Sequence, residues 1–353
     1  MTADAKPDSR MHLISAYGPR AGSARVRLYD WADHLGLDVE PHRFLGTASN
    51  SLQDIRSDPA TVIRAQITAE RLPLTVSGAP VILSRAATPF SNGRIEARTL
   101  RAATHSAYDV DDAIMLPMPG LRNRIFSKPK VFAAAAAAAD VVIAGNDFLA
   151  DEASRFSSAV HVIPSCVEPG DYPSRTAESF DRQPDLVWIG SPSTERYLSS
   201  IAAEINTVHQ RTGSRLTIIS AGNQPVPGMN PSAVRRVQWS ADSFADQLMD
   251  GDIGIMPLED TPWERGKCAY KLLQYAASSI PMVASPVGAN RRALQLLGGD
   301  AAKTRDDWVD TLVSLISAPA RDRFSRGLAA RRAVEKHYSF TAYEDTWKEL
   351  VIP

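Results

Sequence analysis

The sequence predicts an α/β protein of two doubly wound domains, each a Rossmann-like parallel sheet with helices on both faces, opposed across a cleft. Three observations predict it. Short apolar runs alternate with helix-period segments along nearly all 353 residues, the pattern of strand–helix–strand units in a parallel sheet. The length exceeds what one ordinary core organises, so two domains are expected. Near the middle, Pro164 to Pro184 is proline-rich and aperiodic, and a new apolar run starts directly behind it.

Taken in order, the runs His12–Tyr17, Val81–Ser84, Ser106–Val110, Val141–Ala144 and Val160–Ile163 read as strands of a first domain over 1–165. Leu186–Ile189, Leu216–Ser220, Ile253–Met256 and Met282–Ala284 read as strands of a second over 166–337. Helical periodicity between them marks Arg25–Leu35, Asp147–Arg155, Tyr197–Arg211 and Lys267–Ser278. Val131–Ala139, with seven alanines, reads as a helix because alanine has the best helix propensity. It is too short and too weakly apolar to span a bilayer. Open α/β sheets bind ligands beyond the carboxyl ends of their strands, which directs attention to the loops after Tyr17, Val110, Ile189 and Met256.

Composition narrows the class. Apolar residues make up 44% and charged residues 22%, a globular balance without the low hydrophobicity of disorder. A net charge of −1 lacks the basic excess of a phosphate-contacting protein, which argues against nucleic acid. The two cysteines, Cys166 and Cys268, form no disulfide or zinc pattern and suit a reducing compartment. Met1–Arg10 is polar, with no signal-peptide core. A cytoplasmic protein with at most peripheral membrane association is expected.

The segment Asp252 to Gly288 carries the most chemistry. It reads as strand, loop, helix and strand, with Gly266 permitting close backbone approach where the helix begins. At 3.6 residues per turn, Lys267, Lys271, Gln274 and Ser278 fall on one stripe, opposite Ala269, Leu272, Leu273 and Ala276. Lysines near a helix N-terminus oppose the helix dipole. A bound anion would relieve that conflict, because free N–H groups and both ammoniums would point at it. The alternative is a solvated polar face.

This segment resembles the donor-binding element of GT-B-fold retaining glycosyltransferases of the family-4 type. That family carries two glutamates, followed by small residues, a proline and an apolar strand. Here Gln274, ahead of Tyr275-Ala-Ala-Ser-Ser-Ile-Pro281, takes the second position, and Gly266, eight residues earlier, takes the first. The resemblance assigns the second residue to the ribose and the first to the sugar, with Glu264 a substitute for the missing acid. Further stretches resemble a bacterial subgroup with YDxDDA and GSPST motifs: Tyr108 to Ala113, Ala144 to Leu149, Trp188 to Thr194, and Trp263 to Tyr275. The resemblance covers roughly residues 11–340. It implies a hexosyltransferase that moves a sugar from a nucleotide-diphosphate donor to an acceptor hydroxyl with retention and without a metal, in glycan or natural-product biosynthesis. It also implies that a C-terminal helix over about 338–353 packs back on the acceptor-side first domain.

Other candidates follow. Gly190, Ser191 and Thr194 open a strand-to-helix turn suited to wrapping phosphate with N–H groups; an ordinary N-cap is the alternative. By resemblance Arg196 stands where relatives keep a phosphate-facing lysine, although it also suits an ordinary surface position. Lys271, Lys267 and Arg265 would neutralise the diphosphate. Asp111 and Asp112 fall where relatives keep a residue near the transferred sugar. A capped turn, or an Asp109–Asp111 metal pair, are the other readings. Gly18 and Arg25 belong to a loop near acceptor or diphosphate that lacks the G-x-G-x-x-G spacing of a dinucleotide site. Trp239 follows a strand near the expected nucleobase pocket, unless it is packing. Two rival functions remain: an epimerase of the same fold, and a non-catalytic nucleotide-sugar-binding subunit.

Overall fold

The computed structural model describes residues 10–45, 58–175 and 183–353. Parts of two sequence readings, Met1–Arg10 and the Pro164–Pro184 stretch, lie outside these residues. The chain divides into two compact units. The first comprises Met1–Ser165, Gly266–Cys268 and Tyr343–Pro353; the second comprises Cys166–Arg265 and Ala269–Ala342.

The first unit holds a six-stranded parallel sheet in the order β2-β1-β3-β4-β5-β6. Its strands are β1 (Met11–Ser15), β2 (Val39–Arg43), β3 (Val81–Ser84), β4 (Ser106–Val110), β5 (Val141–Ala144) and β6 (Val160–Val162). Leu13 pairs with Ile82, and Leu83 with Tyr108. β1, β3, β4 and β5 are buried along their whole length, because a parallel sheet covered on both faces demands continuous apolar strands. On one face, Leu72 and Val76, Ile95 and Leu100, Phe132 and Ala135, and Leu149 pack on Leu83, Tyr108 and Val142. They come from helices Pro59–Thr75, Arg94–Ala102, Lys128–Ala136 and Asp147–Ala153 and the residue that ends the first of them. The helix Glu344–Val351 belongs to this unit: Trp347 stacks on Trp31, centroids 5.2 Å apart, and His105 Nε2 donates to the Leu350 carbonyl at 2.9 Å.

The second unit repeats the plan in the order β12-β11-β10-β7-β8-β9. Its strands are β7 (Leu186–Ile189), β8 (Leu216–Ser220), β9 (Val234–Gln238), β10 (Ile253–Met256), β11 (Met282–Ala284) and β12 (Asp300–Ala301). Tyr275 ties the helix Tyr270–Ala277 to the two middle strands. Its hydroxyl donates to the Ile255 carbonyl at 3.0 Å and accepts from the Ile189 N–H at 3.3 Å. Gly254 makes room for the ring, since a Cβ there would lie 2.4 Å from it. Leu272, Leu273 and Ala276 pack with Ala330, Val334 and Tyr338 of the helix Ala320–Tyr338.

Two strands escape the sequence reading, β2 and β12, and both are sheet edges; β9, another edge, is the strand expected ahead of Trp239. β2 and β9 are largely half-buried and carry Glu40, Pro41 and His42, and Arg235 and Arg236, so neither presents an apolar run. Proline is tolerated on such an edge. Helices differ too. Arg25–Leu35 opens as a π-helical turn, Arg25–Tyr29, before Asp30–Leu35. Tyr197–Arg211 is two pieces, Arg196–Ser199 and Ala202–Thr212. The helix expected over Lys267–Ser278 starts at Tyr270, after Ala269 takes a left-handed φ of 55°.

Both sheets have a point where successive strands are laid down in opposite directions, between β1 and β3 and between β7 and β10. The loops leaving those strands diverge and open a crevice at the carboxyl edge.

Candidate functional site

In the first unit, that edge carries a chain of ion pairs. Arg27, from the π-helical turn, contacts both oxygens of Asp109 at the end of β4: Nε lies 3.0 Å and Nη2 2.6 Å from Oδ2. Its Nη1 donates to the Ile163 carbonyl at 2.9 Å. Arg85, directly after β3, reaches Asp111 at 2.5 Å and Asp112 at 3.4 Å. Ser23 donates to Asp111 at 2.6 Å. Lys267 completes the series, its Nζ 2.9 Å from Asp112. Three cations therefore meet three carboxylates.

Burial alone would raise the Asp111 carboxyl, but the Arg85 and Arg27 charges and the Ser23 hydroxyl outweigh it and hold it below the usual range. Asp111 is thus a firmly ionised anchor and a weak base. Arg85 sits at a left-handed φ of 59°, held by its N–H on the Asp109 carbonyl at 3.0 Å and by the Tyr108 hydroxyl on its own carbonyl at 3.1 Å. A non-glycine residue in that region costs on the order of 1–3 kcal/mol, and the surrounding bonds fix it. Burial, then Asp111, push the Cys268 thiol up, and its Sγ donates to the Asp111 carbonyl at 3.3 Å.

One expectation is corrected here, and a second residue gains a packing role. Lys267 is not on the helix: it lies ahead of Tyr270, in the first unit, and Asp112 compensates its charge. Gly266 is needed for packing, since a Cβ would lie 2.6 Å from the Ala113 Cβ and 2.8 Å from its nitrogen.

In the second unit, the loops after β7 and β10 hold a second group. The Lys271 ammonium lies 5.2 Å from the centre of the Trp188 ring. The same indole abuts Gly190, where a Cβ would meet it at 2.5 Å and Thr194 Oγ1 at 2.8 Å. Trp188 therefore brings Lys271 beside the start of the Gly190–Thr194 turn. Ser191 is exposed and precedes a 3-10 turn, Pro192–Thr194; Thr194 donates back to the Ser191 carbonyl at 2.8 Å. The helix Tyr270–Ala277 has no side-chain cap and no acid in its first turn, where Lys271 stands. Gln274 and Ser278, on the same stripe, are buried rather than solvated, and Gln274 Nε2 donates to the Tyr172 hydroxyl at 3.4 Å.

Glu264, in the short helix Pro262–Arg265, is buried. It accepts from the Tyr197 hydroxyl at 2.7 Å, from Arg196 at 3.2 Å, and from Thr261. Burial would raise its carboxyl, but the Thr261 and Tyr197 hydroxyls and the Arg196 charge hold it below the ordinary value. Tyr197 is pushed up to about 12, by burial first, with Glu264 adding to it and Arg196 opposing. Arg196 lies largely exposed over the Tyr197 ring, 4.9 Å from its centre.

The remaining candidates are placed as follows. Arg265 is half exposed and pairs with Asp260 at 2.7 Å. Trp239 is stacked on Phe244, centroids 6.3 Å apart, and packs against the core, so its visible role is packing. Gly18 is buried in a turn that accepts from the Ala21 N–H at 3.0 Å. Arg25 lies 3.9 Å from Asp30. Arg27, Arg85 and Tyr197 were not anticipated; the one sequence signal was Arg85, a charge immediately after an apolar run. Among the described residues no three His, Cys, Asp or Glu side chains stand together as a metal site, and in the Asp109–Asp111 pair Asp109 is occupied by Arg27.

No family model and no curated protein matches the chain. Solved structures do. Anabaena HepE in complex with UDP-glucose superposes with a TM-score of 0.69 at 13% identity, over 96% of this chain and 98% of that one. An alpha,alpha-trehalose-phosphate synthase (UDP-forming) from Burkholderia vietnamiensis gives 0.63 at 12%, over 96% of both chains. TarM gives 0.60 at 12% over 78% of this chain, which spans 55% of TarM's length. At these identities the likeness establishes the fold, and the fold is GT-B.

Proposed function

We propose that this chain is a glycosyltransferase that takes a sugar from a nucleotide-diphosphate donor to an acceptor hydroxyl. The observation that carries it is the placement of Lys271 over Trp188, beside the Gly190–Thr194 turn and at the uncapped start of the helix Tyr270–Ala277. N–H groups, the helix dipole and a fixed ammonium converge there, which is the chemistry that binds a diphosphate. Two structural neighbours, HepE in complex with UDP-glucose and a UDP-forming trehalose-phosphate synthase, support a nucleotide-sugar donor.

As the bond from sugar to phosphate lengthens, negative charge grows on the leaving oxygen. Lys271 and the N–H groups of the helix start and of Gly190–Thr194 stabilise that charge without rearranging, which lowers the barrier. Glu264 orients Arg196 and Tyr197 around the same loop. Gln274 takes the ribose through its amide. In the first unit, Asp111 anchors Arg85, and Asp112, held between Arg85 and Lys267, faces the acceptor hydroxyl. Retention and independence of metal belong to this proposal through the family resemblance.

A second reading has one observation behind it: Gly266 and Gln274 stand where the acid pair would be, which suits a subunit that binds donor without turning it over. Incubation with uridine, guanosine and thymidine diphosphate sugars and a panel of acceptors separates the readings. Release of nucleoside diphosphate only with acceptor supports transfer. Binding without release supports the subunit, and donor conversion without acceptor supports an epimerase.

A further inference from the structure

Gln274 carries a carboxamide whose hydrogen bonds are incomplete. The residue is 6% exposed, and its Nε2 donates to the Tyr172 hydroxyl at 3.4 Å. Its Oε1 takes no hydrogen bond from any described residue. A buried amide oxygen normally has a donor, and leaving it without one is unfavourable, so a ligand hydroxyl is a fitting partner.

The neighbours indicate which part of a nucleotide supplies it. Gln274 stands three residues after Lys271 on the helix Tyr270–Ala277, on the same stripe and about 4.5 Å further along the axis. On its other side Tyr172 packs edge-on against Phe244 at 5.9 Å, and Phe244 is stacked on Trp239 at 6.3 Å. All five residues belong to the second unit. The amide therefore lies between the ammonium proposed to meet the diphosphate and a group of aromatic rings, the stretch a pentose would span.

The amide also limits how that pentose is read. A carboxylate has two acceptor oxygens and takes both hydroxyls of a ribose. A carboxamide has one acceptor oxygen and an NH2 donor, and here the NH2 is drawn to Tyr172. One group remains for one hydroxyl. With the amide turned over and Tyr172 donating, the count is the same. A site rejects an analogue strongly when the missing hydroxyl strands a buried partner. Here the 3′-hydroxyl alone satisfies Gln274, and nothing is stranded when the 2′-hydroxyl is absent.

We infer that the second unit reads a single pentose hydroxyl through Gln274, held by Tyr172, and so accepts 2′-deoxynucleotide sugars as well as ribonucleotide sugars of the same base. This rests on the donor site proposed above and adds the class of donor it takes.

Calorimetric titration of the full chain tests it with nucleoside diphosphates paired to differ in that hydroxyl alone: uridine and 2′-deoxyuridine, guanosine and 2′-deoxyguanosine, 5-methyluridine and thymidine. Within the pair that binds, the two Kd values should differ by less than about tenfold, the scale of one neutral hydrogen bond. Gln274→Glu supplies a second, charged acceptor and should widen the preference for the ribose form at least about tenfold. Tyr172→Phe keeps the ring on Phe244 but frees the NH2 to reach the second hydroxyl, and should also widen it. The wild-type ratio and Tyr172→Phe decide the matter even where a buried carboxylate keeps Gln274→Glu from folding. A wild-type preference for ribose above about tenfold, or one that neither variant changes, would overturn the inference and leave the donor site standing. Binding of neither member of any pair would remove the donor site itself, and this inference with it.

Discussion

Arg27 and Asp109 form a bidentate ion pair in which both side chains are almost wholly sealed from water, 1% and 2% exposed. Removing one partner of such a pair strands a buried charge and typically costs about 3–5 kcal/mol. Asp109→Ala should therefore destabilise the chain by roughly that amount in urea unfolding. Replacing both, Arg27→Met with Asp109→Leu, should recover most of the loss, because apolar pairs of similar volume often substitute without penalty. A loss below about 1 kcal/mol for the single variant would be that of a surface pair and would mean that water reaches the site.

Asp111 gives a pH signature. Its folded-state carboxyl is held below the ordinary value, so its stabilising contribution is complete above the unfolded value near about 3.9. It is lost as pH falls through the depressed folded value. The advantage of wild type over Asp111→Asn in unfolding free energy should stay level from neutral pH to about pH 5 and shrink below about pH 4. An advantage that grows on acidification would contradict the sign.

Gly266→Ala separates packing from ligand approach. With a Cβ 2.6 Å from Ala113, the variant should lose about 1–3 kcal/mol from overpacking, or some 2–4 °C in Tm per kcal/mol. An unchanged Tm with weakened donor binding would return Gly266 to the role of a ligand-facing glycine.

Turnover should persist in excess EDTA. The Asp109–Asp111 pair has the spacing of a metal motif, but Asp109 is taken up by Arg27 and Asp111 by Arg85 and Ser23. Activity lost in EDTA and restored by added magnesium would contradict this.

The limits of the sequence reading follow from where information resides. β1, β3, β4, β7, β8 and β10 were legible because burial on both faces of a parallel sheet writes an apolar run into each. β2, at an edge, shares its surface with solvent and carries no such run. The start of the helix at Tyr270 was hidden because Ala269 enters the left-handed region without the glycine or asparagine that normally announces it. That single break moves Lys267 off the Lys271 stripe and onto Asp112. Arg27 and Arg85 were invisible for a different reason: their roles come from carboxylates 82 and 26 residues away, and no local pattern encodes such partners. Lys271, Gln274 and the Gly190–Thr194 turn were noticed because helix register and loop position are local properties.

The most direct measurement concerns Lys271, and it needs no acceptor. Calorimetric titration of uridine, guanosine and thymidine diphosphates into wild type and Lys271→Ala should show one nucleotide bound by wild type, with affinity reduced at least about tenfold in the variant, a loss of 1.4 kcal/mol or more. Unfolding of the variant should stay within about 1 kcal/mol of wild type, the scale of the cation–π contact with Trp188. Equal affinity in both proteins, or no nucleotide bound by either, would contradict a diphosphate site at the start of the helix Tyr270–Ala277.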